Sequence, residues 1–275
     1  RGDTIGWEQI VKRDNQYLGG GTGSNAGTGT RAVILGGVGN SYSNVTDRID
    51  FFTVNILGNA QDFGDLTTGC YSKGVVCDGT RVIAAGGRTP SFVQDIHFFT
   101  ISSLGDAADS GANLNNTENP NALSDSVRGV FAITSGSAYK NAIDYITIQS
   151  EGGAKDFGDT SDHARFSSAA SNQTRGLFAL GNANPAYVNT VDYVTISTQG
   201  NSATFGDLTT IRAVSGAFSN SVRAVFSRGE VYPGENETNV MDFFTFSTLG
   251  DAVDFGDSTV SVKNGMDGGC SSPTR

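Results

Sequence analysis

Aspartates are the residues of this chain whose type and spacing come closest to a chemical site. One set recurs in a repeated apolar and aromatic motif, at Asp50, Asp144, Asp192 and Asp242. Hard cations prefer several oxygen ligands, so carboxylates facing a central channel would bind a cation. The favoured interpretation is structural, with each carboxylate accepting hydrogen bonds from the backbone or from an arginine in a repeated buried ion pair. The candidate arginines are Arg31, Arg128, Arg175 and Arg223.

A second set of aspartates presents the same choice between a cation site and a structural role. It consists of Asp65, Asp159, Asp207 and Asp257. Structure is again the favoured interpretation, because these residues stand beside glycines in turn-like sequences.

The sequence contains no recognisable set of catalytic residues. His97 and His163 are the two histidines, and they occupy non-equivalent positions in different repeats, so neither a Ser-His-Asp triad nor a metal centre has its parts. A copper oxidase needs converging histidine and tyrosine ligands, which two such histidines do not supply. A glycosidase needs only two carboxylates at a suitable separation, which leaves a glycan-cleaving enzyme as the least favoured alternative. We expect no enzymatic activity, no cofactor and no bound metal.

One aromatic residue lies in the connection that follows the Gly-Gly position of each repeat. These residues are Tyr42, Phe92, Tyr139, Tyr187 and Tyr232. On one face of a radial array they would form stacking platforms for sugar rings. The hydrogen-bond partners would be Asn44, Asn141 and Asn189. The favoured alternative is that each aromatic ring fills the joint between neighbouring repeats.

Composition and charge narrow the class of protein. The 275 residues include 37 glycines and 5 prolines, and the formal net charge is −10. Many glycines and polar turn residues among apolar and aromatic runs indicate short strands joined by tight turns. Scattered acidic residues oppose binding to nucleic acid, so we do not expect nucleic acid as a partner. No stretch reaches the roughly 18 apolar residues of a membrane helix, so we expect no membrane insertion. Three cysteines leave one thiol over in any disulfide scheme.

Three motifs recur in a constant order at intervals of about 48 residues. The first is an arginine followed by an apolar run that usually ends in small residues, at Arg31, Arg81, Arg128, Arg175 and Arg223. The second is the apolar and aromatic stretch that begins at Ile49, Ile96, Ile143, Val191 and Met241. The third contains Asp-Phe-Gly-Asp or a close variant and begins at Ala60, Ala154, Ala203 and Ala252, with a degraded copy at Ala107.

Each motif predicts a local structure. The apolar run after the arginine is a buried strand, and its terminal glycines leave the strand through positive φ. The imperfect alternation of the second motif indicates a strand covered on both faces. The third motif predicts a strand-ending turn whose phenylalanine fills the gap between sheets. About four strands per repeat predict an all-β fold, a β-propeller of about five four-stranded blades.

The repeats define the domain organisation. Residues 1–30 are expected to be an N-terminal arm or connector, and 31–275 the propeller, with repeats at about 31–80, 81–127, 128–174, 175–222 and 223–275. The segment from Ser258 to Arg275 is similar to the first strand of a blade, so we expect it to close the ring by pairing with the strand after Arg31. The glycine-rich segment before Arg31 competes for that place. Because the chain begins with Arg1, we expect a piece of a longer polypeptide or a processed product.

The repeats resemble the kelch-like repeats of virion structural and tail-fibre proteins of tailed phages, especially phages of marine cyanobacteria. The resemblance covers residues 31–275 and rests on phrases such as GNAQDFGDLTT from Gly58, NTVDYVTIST from Asn189 and GNSATFGDLTT from Gly200. His97 departs from the motif's aspartate, and the Asp-Phe-Gly-Asp turn of the second copy is DSGA. The resemblance implies a virion location and supplies no catalytic residues.

Together these observations predict a non-catalytic structural module of a virion surface or another extracellular structure. As a phage fibre or decoration domain, it would present loops for attachment to a host surface. The alternative is a carbohydrate-binding, lectin-type propeller, in which several weak sites act together through avidity. The expected partners are other virion proteins or a host-surface glycan, and a homo-oligomer is possible.

Overall fold

The chain folds into five antiparallel β-sheets arranged as a five-bladed β-propeller. The computed structural model describes residues 31–38, 44–53, 56–89, 91–114, 120–125, 127–132, 140–165, 168–183, 186–234 and 236–262, and within them every regular element is a strand. The predicted all-β propeller is therefore confirmed. The described residues contain no helix of the length and hydropathy that crossing a membrane requires.

The strands follow the chain blade by blade. Blade 1 contains β1 (Arg31–Val38), β2 (Val45–Thr53) and β3 (Gln61–Asp65). Blade 2 contains β4 (Gly74–Cys77), β5 (Arg81–Ala85), β6 (Asp95–Thr100) and β7 (Ala108–Asn113). Blade 3 contains β8 (Asn121–Ser124), β9 (Arg128–Ala132), β10 (Lys140–Thr147) and β11 (Lys155–Arg165).

Blade 4 contains β12 (Ser168–Ser171), β13 (Arg175–Ala179), β15 (Thr190–Thr195) and β16 (Ala203–Asp207). The short β14 (Asn182–Ala183) leaves this blade and pairs with β11 at the outer edge of blade 3. Blade 5 contains β17 (Arg212–Ser219), β18 (Arg223–Val231), β19 (Asn236–Thr245) and β20 (Val253–Val262). Each of blades 2 to 5 thus begins with the strand that follows the Asp-Phe-Gly-Asp motif of the preceding repeat, or its degraded copy.

The strand after each repeated arginine is buried because both of its faces pack on neighbouring blades. In β5, Val82 and Ala84 belong to the core between blades 1 and 2, whereas Ile83 and Ala85 belong to the core between blades 2 and 3. Successive side chains of a strand point to opposite faces, so an unbroken apolar run serves two cores. Two further cores lie between blades 3 and 4 and between blades 4 and 5. The hydrophobic core is therefore divided among the blade joints.

The turn that precedes each of these strands has a common polar anchor. An Asp or Asn three residues before the arginine accepts hydrogen bonds from the backbone of the arginine and of its predecessor. The anchors are Asp78, Asp125, Asn172 and Asn220. Such Asx turns hold the first hairpin of blades 2 to 5 in register. At the other end of the strand the predicted positive φ is confirmed, for example at Gly86 (65°) and Gly87 (107°).

The Asp-Phe-Gly-Asp motif forms the outermost strand of a blade, so its prediction as a strand-ending turn was wrong. The strand is bulged beside its glycine, because the register of β3 on β2 shifts between Ile49 and Asp50. The bulge keeps the residues on both sides paired while turning the strand. The phenylalanine fills the gap between sheets as predicted, since Phe63, Phe157 and Phe205 are each 3% exposed.

The outermost strand also bonds to the next blade through a repeated set of contacts that we call the outer joint. Its acceptors are the carbonyls of the phenylalanine and of the second aspartate. At blades 1 and 2, the Gly105 amide donates to Phe63 O and the Ala107 amide to Asp65 O, each at 2.8 Å. The Asp65 amide donates in return to Asp106 Oδ1 at 3.0 Å.

The same three bonds recur between blades 3 and 4 and between blades 4 and 5. Their turns are Gly200–Asn201–Ser202 and Gly250–Asp251–Ala252. Between blades 2 and 3 the phenylalanine is replaced by Ser110, and no such bonds connect the described residues there.

The strand expected to close the ring lies outside the described residues. Blade 1 has three described strands, with β1 at one edge. Ser258–Val262, where we expected the closing strand to begin, instead continues β20, because the long β19 extends far enough for Thr238 to pair with Val262. Residues 1–30, the expected arm, and 263–275 lie outside the described residues.

The outer joint predicts that Gly206→Ala destabilises the protein. The φ of Gly206 suits any residue, but an added Cβ would overlap the carbonyl of Gly250 in the next blade. We expect a loss of about 1–3 kcal/mol in the free energy of unfolding, as for other overpacked sites. Urea denaturation monitored by fluorescence measures it.

Gly152→Ala is the matched control for this substitution. The nearest atom to a Cβ there is 3.9 Å away, so we expect an unchanged midpoint. Equal stabilities of the two variants would contradict a steric requirement at the outer joint.

Candidate functional site

The recurring aspartates are buried and connect successive blades. Asp192 of blade 4 accepts hydrogen bonds from the amide (2.7 Å) and hydroxyl (2.8 Å) of Ser161, in the last strand of blade 3. Asp242 of blade 5 accepts the same pair from Thr209, at 3.1 and 2.8 Å, in the segment leaving blade 4. Both carboxylates are fully buried. These bonds are the structural kind favoured from the sequence, and in both cases the preceding blade supplies a hydroxyl and a backbone amide as donors.

The expected ion pairs between these aspartates and the repeated arginines were wrong for Asp192 and Asp242. In blade 4, Arg175 pairs with Thr195 whereas Asp192 pairs with Phe178, three positions further along β13. At about 3.3 Å per residue this separates the two charges by about 10 Å along the strand. The same register separates Arg223 from Asp242 in blade 5.

The repeated arginines instead stack on aromatic rings of the adjacent strand. The pairs are Arg31 on Phe51, Arg81 on Phe98, Arg128 on Tyr145, Arg175 on Tyr193 and Arg223 on Phe243, with 4.5–5.2 Å from guanidinium carbon to ring centroid. Four of these guanidinium groups also donate to a backbone carbonyl of the next blade: those of Ile101, Ile148, Ile196 and Phe246. The repeated arginine is therefore a second contact between blades, held in place by a cation–π interaction.

Among the described residues, Arg212 and Asp242 form an ion pair in which both side chains are buried, and this arginine lies outside the repeated set. Arg212 Nη1 is 2.9 Å from Asp242 Oδ2, and both side chains are 0% exposed. The guanidinium also donates to Thr210 Oγ1 (2.8 Å) and Phe226 O (3.3 Å). Burial lowers the pKa of Arg212, and the Asp242 carboxylate partly offsets that effect. Arg212 was not identified from the sequence because the site predictions relied on positions that recur in each repeat. No other described blade shows an equivalent ion pair.

His97 occupies the aspartate position of blade 2. Its Nε2 lies 2.7 Å from Thr67 Oγ1, which belongs to the segment leaving blade 1, so the connection between blades is kept. Burial, with a contribution from the nearby Lys73 ammonium, lowers the pKa of His97 to about 4, against a raising effect of Asp109. The imidazole is therefore neutral at pH 7 and replaces a carboxylate beside a buried lysine.

The structure brings two of the five predicted aromatic residues into contact. Tyr187 of blade 4 and Tyr232 of blade 5 stack with centroids 3.9 Å apart and planes at 9°. Tyr187 is half-buried and Tyr232 is 38% exposed. Phe92 lies apart from them under the Arg88 guanidinium, at 4.7 Å. Tyr42 and Tyr139 lie outside the described residues.

The stacked tyrosines are held by backbone pairing. Tyr187 forms a bridge with Asn182, and the following amide of Val188 donates to Gly181 O at 2.8 Å. The Tyr232 amide donates to Ile211 O at 3.0 Å. Each ring therefore starts from a fixed backbone position, on blades that are themselves joined. We call Tyr187 and Tyr232 the tyrosine pair.

The predicted asparagine partners have different surroundings. Asn189 Nδ2 donates to Leu208 O at 3.0 Å and fixes the segment leaving blade 4. The backbone carbonyl of Asn141 accepts from Thr160 Oγ1 at 3.1 Å. Asn44 is exposed. Their role in ligand binding stays a prediction.

No family model matches the chain, and no curated protein matches it significantly. Among the described residues, no three His, Cys, Asp or Glu side chains are grouped as metal ligands would be.

The buried ion pair predicts that Asp242→Ala is strongly destabilising. Removing the carboxylate leaves the Arg212 charge buried without its partner, which typically costs about 3–5 kcal/mol. Glu237→Ala changes an exposed carboxylate in the same strand and should cost under about 0.5 kcal/mol. Chemical denaturation at pH 7 compares the two variants, and similar losses would contradict the pairing.

The neutral His97 predicts a loss of stability on mild acidification. Its folded pKa of about 4 lies below the ordinary value of 6.5, so the unfolded chain binds the proton first as pH falls. The contribution of His97 is complete above pH 6.5 and declines toward pH 4, by on the order of 3 kcal/mol at about 1.4 kcal/mol per pKa unit.

His97→Gln removes this titration while retaining an amide near Thr67. The slope of unfolding free energy against pH between 4.5 and 7 should become shallower than in the wild type. His163→Gln changes an exposed histidine and should retain the wild-type slope. A wild-type slope in His97→Gln would show that other groups cause the acid sensitivity.

Proposed function

We propose that this protein is a non-catalytic structural and adhesive module of a virion surface or another extracellular structure, which presents its loops to a host surface. A fibre or decoration domain must hold a binding surface in a constant shape. The repeated outer joints and the arginine contacts supply that rigidity, because they connect successive blades by hydrogen bonds as well as by apolar packing.

The tyrosine pair is the observation that carries the proposal. Its two rings are stacked at 3.9 Å, are held by paired backbone and leave Tyr232 accessible. A rigid, exposed aromatic face suits the apolar face of a sugar ring, and the phenol hydroxyls can bond to sugar hydroxyls. Stacking between blades also fits the packing role expected from the sequence.

A lectin-type propeller is the second candidate, and the same pair favours it. A single platform of two rings would bind a sugar weakly. Many copies on a virion would bind a repetitive polysaccharide far more tightly, because each further contact is intramolecular. The formal charge of −10 favours a neutral or cationic glycan over an acidic one.

The proposal predicts binding to host-type envelope polysaccharides that depends on the tyrosine pair. On a glycan array, the multimerised wild-type protein should bind saturably, and Tyr187→Ala/Tyr232→Ala should lose at least about 90% of the signal, since truncation of an aromatic anchor commonly costs 2 kcal/mol or more. Circular dichroism verifies the fold of the variant.

Leu104→Ala is the control, because Leu104 is exposed on an outer turn and is not aromatic. It should bind like the wild type. Binding that the double variant retains would place the glycan site elsewhere. No binding by folded, multimerised protein would refute the lectin candidate and leave attachment through protein partners.

A further inference from the structure

Blade 5 ends in half of an outer joint. Its Phe255 and Gly256 correspond to Phe205 and Gly206 of blade 4. Phe255 is 48% exposed, whereas the equivalent phenylalanines of blades 1, 3 and 4 are 3% exposed. No atom lies within 4 Å of the position of a Cβ on Gly256, whereas a Cβ on Gly64, Gly158 or Gly206 would overlap a backbone carbonyl of the next blade.

Blade 1 carries the complementary half. Gly58, Asn59 and Ala60 repeat the sequence of the turns at Gly105, Gly200 and Gly250 that receive the outermost strand of the preceding blade. All three residues are exposed, and no atom lies within 4 Å of a Cβ on Gly58. Among the described residues, no backbone hydrogen bond connects this turn with β20.

We propose that these two halves join between copies of the chain, so that β20 of one molecule packs on the Gly58–Ala60 turn of the next. Both halves are fully described in one molecule and do not meet there. Three formed outer joints define the contacts that a partner must supply: two amides that donate to the carbonyls of Phe255 and Asp257, and an Asn59 side chain that accepts from the Asp257 amide. Among the described residues, the turn left to supply them is that of blade 1.

The arginine contact supports the same direction of assembly. In blades 1 to 4 the repeated arginine donates to a carbonyl of the next blade. Arg223 of blade 5 stacks on Phe243 but is exposed, and no described carbonyl accepts from it. A following copy would place its blade 1 beside this exposed guanidinium. Because the two halves differ, the contact is head-to-tail, and it produces rings or open chains of molecules.

Sedimentation velocity of the full chain over a wide concentration range tests this assembly. The weight-average mass should rise with concentration to at least twice that of one chain. Phe255→Ser should abolish the rise, and the chain already carries serine at the equivalent Ser110 of blade 2. Gly256→Ala should do the same, because its Cβ has free space in one molecule but would meet the carbonyl of the incoming turn.

Gly250→Ala is the matched control for the second variant. Gly250 has a similar positive φ (147° against 123° for Gly256), and no atom lies within 4 Å of its Cβ position. It should associate like the wild type, so a loss of association restricted to Gly256→Ala reports the interface rather than backbone strain.

Three outcomes would overturn the proposal. The first is a wild-type chain that keeps the mass of one molecule at every concentration. The second is association that neither Phe255→Ser nor Gly256→Ala weakens. The third is a single-chain wild type whose melting temperature falls in Phe255→Ser, which would show that the two halves meet within one molecule and close its ring.

Discussion

The contact between the outermost strand of one blade and the glycine-containing turn of the next is the constraint on which this propeller depends. Each blade is too thin to bury its own apolar side chains, so the four cores formed by the described residues lie between blades and exist only when neighbours are correctly spaced. The outer joint sets that spacing at the periphery through backbone atoms, and its glycine leaves no room for a side chain. Apolar packing alone would tolerate sliding between sheets, whereas hydrogen bonds in a fixed order do not.

Charged residues also connect neighbouring blades, at positions other than the outer joint. The repeated arginine reaches a carbonyl of the following blade, and the recurring aspartate receives a hydroxyl and an amide from the preceding one. The members of these two sets that are buried or half-buried are paired in this way, so burying them costs little of the stability that the cores provide. His97 shows that the aspartate position requires a hydrogen-bond partner for the preceding blade rather than a negative charge.

The repeated motifs predicted the fold class and the buried strands correctly, because an apolar run that recurs after an arginine and usually ends in small residues leaves few alternatives. The bulge in the Asp-Phe-Gly-Asp strand was not predictable, since a glycine with positive φ is equally typical of a turn. The predicted ion pair between Arg175 and Asp192 was wrong because it depended on the register between β13 and β15. A periodic sequence does not specify that register. Ser161, which donates to Asp192, and Thr209, which donates to Asp242, lie 31 and 33 residues earlier in the chain, and one repeat gives no indication of what the preceding one places against it. The aromatic positions were predicted, but the stacking of Tyr187 on Tyr232 depends on blade geometry.

The uniformity of the outer joint has a consequence for how such a chain evolves. The outer strands of blades 1, 3 and 4 present the same phenylalanine and glycine, and the turns that receive them present the same glycine followed by Asp or Asn. A duplicated unit of about 48 residues would therefore arrive with both of its faces already matched to its new neighbours. Unequal recombination within the gene can add or remove a blade without inventing an interface, so blade number is free to drift among descendants while the contacts between blades stay constant.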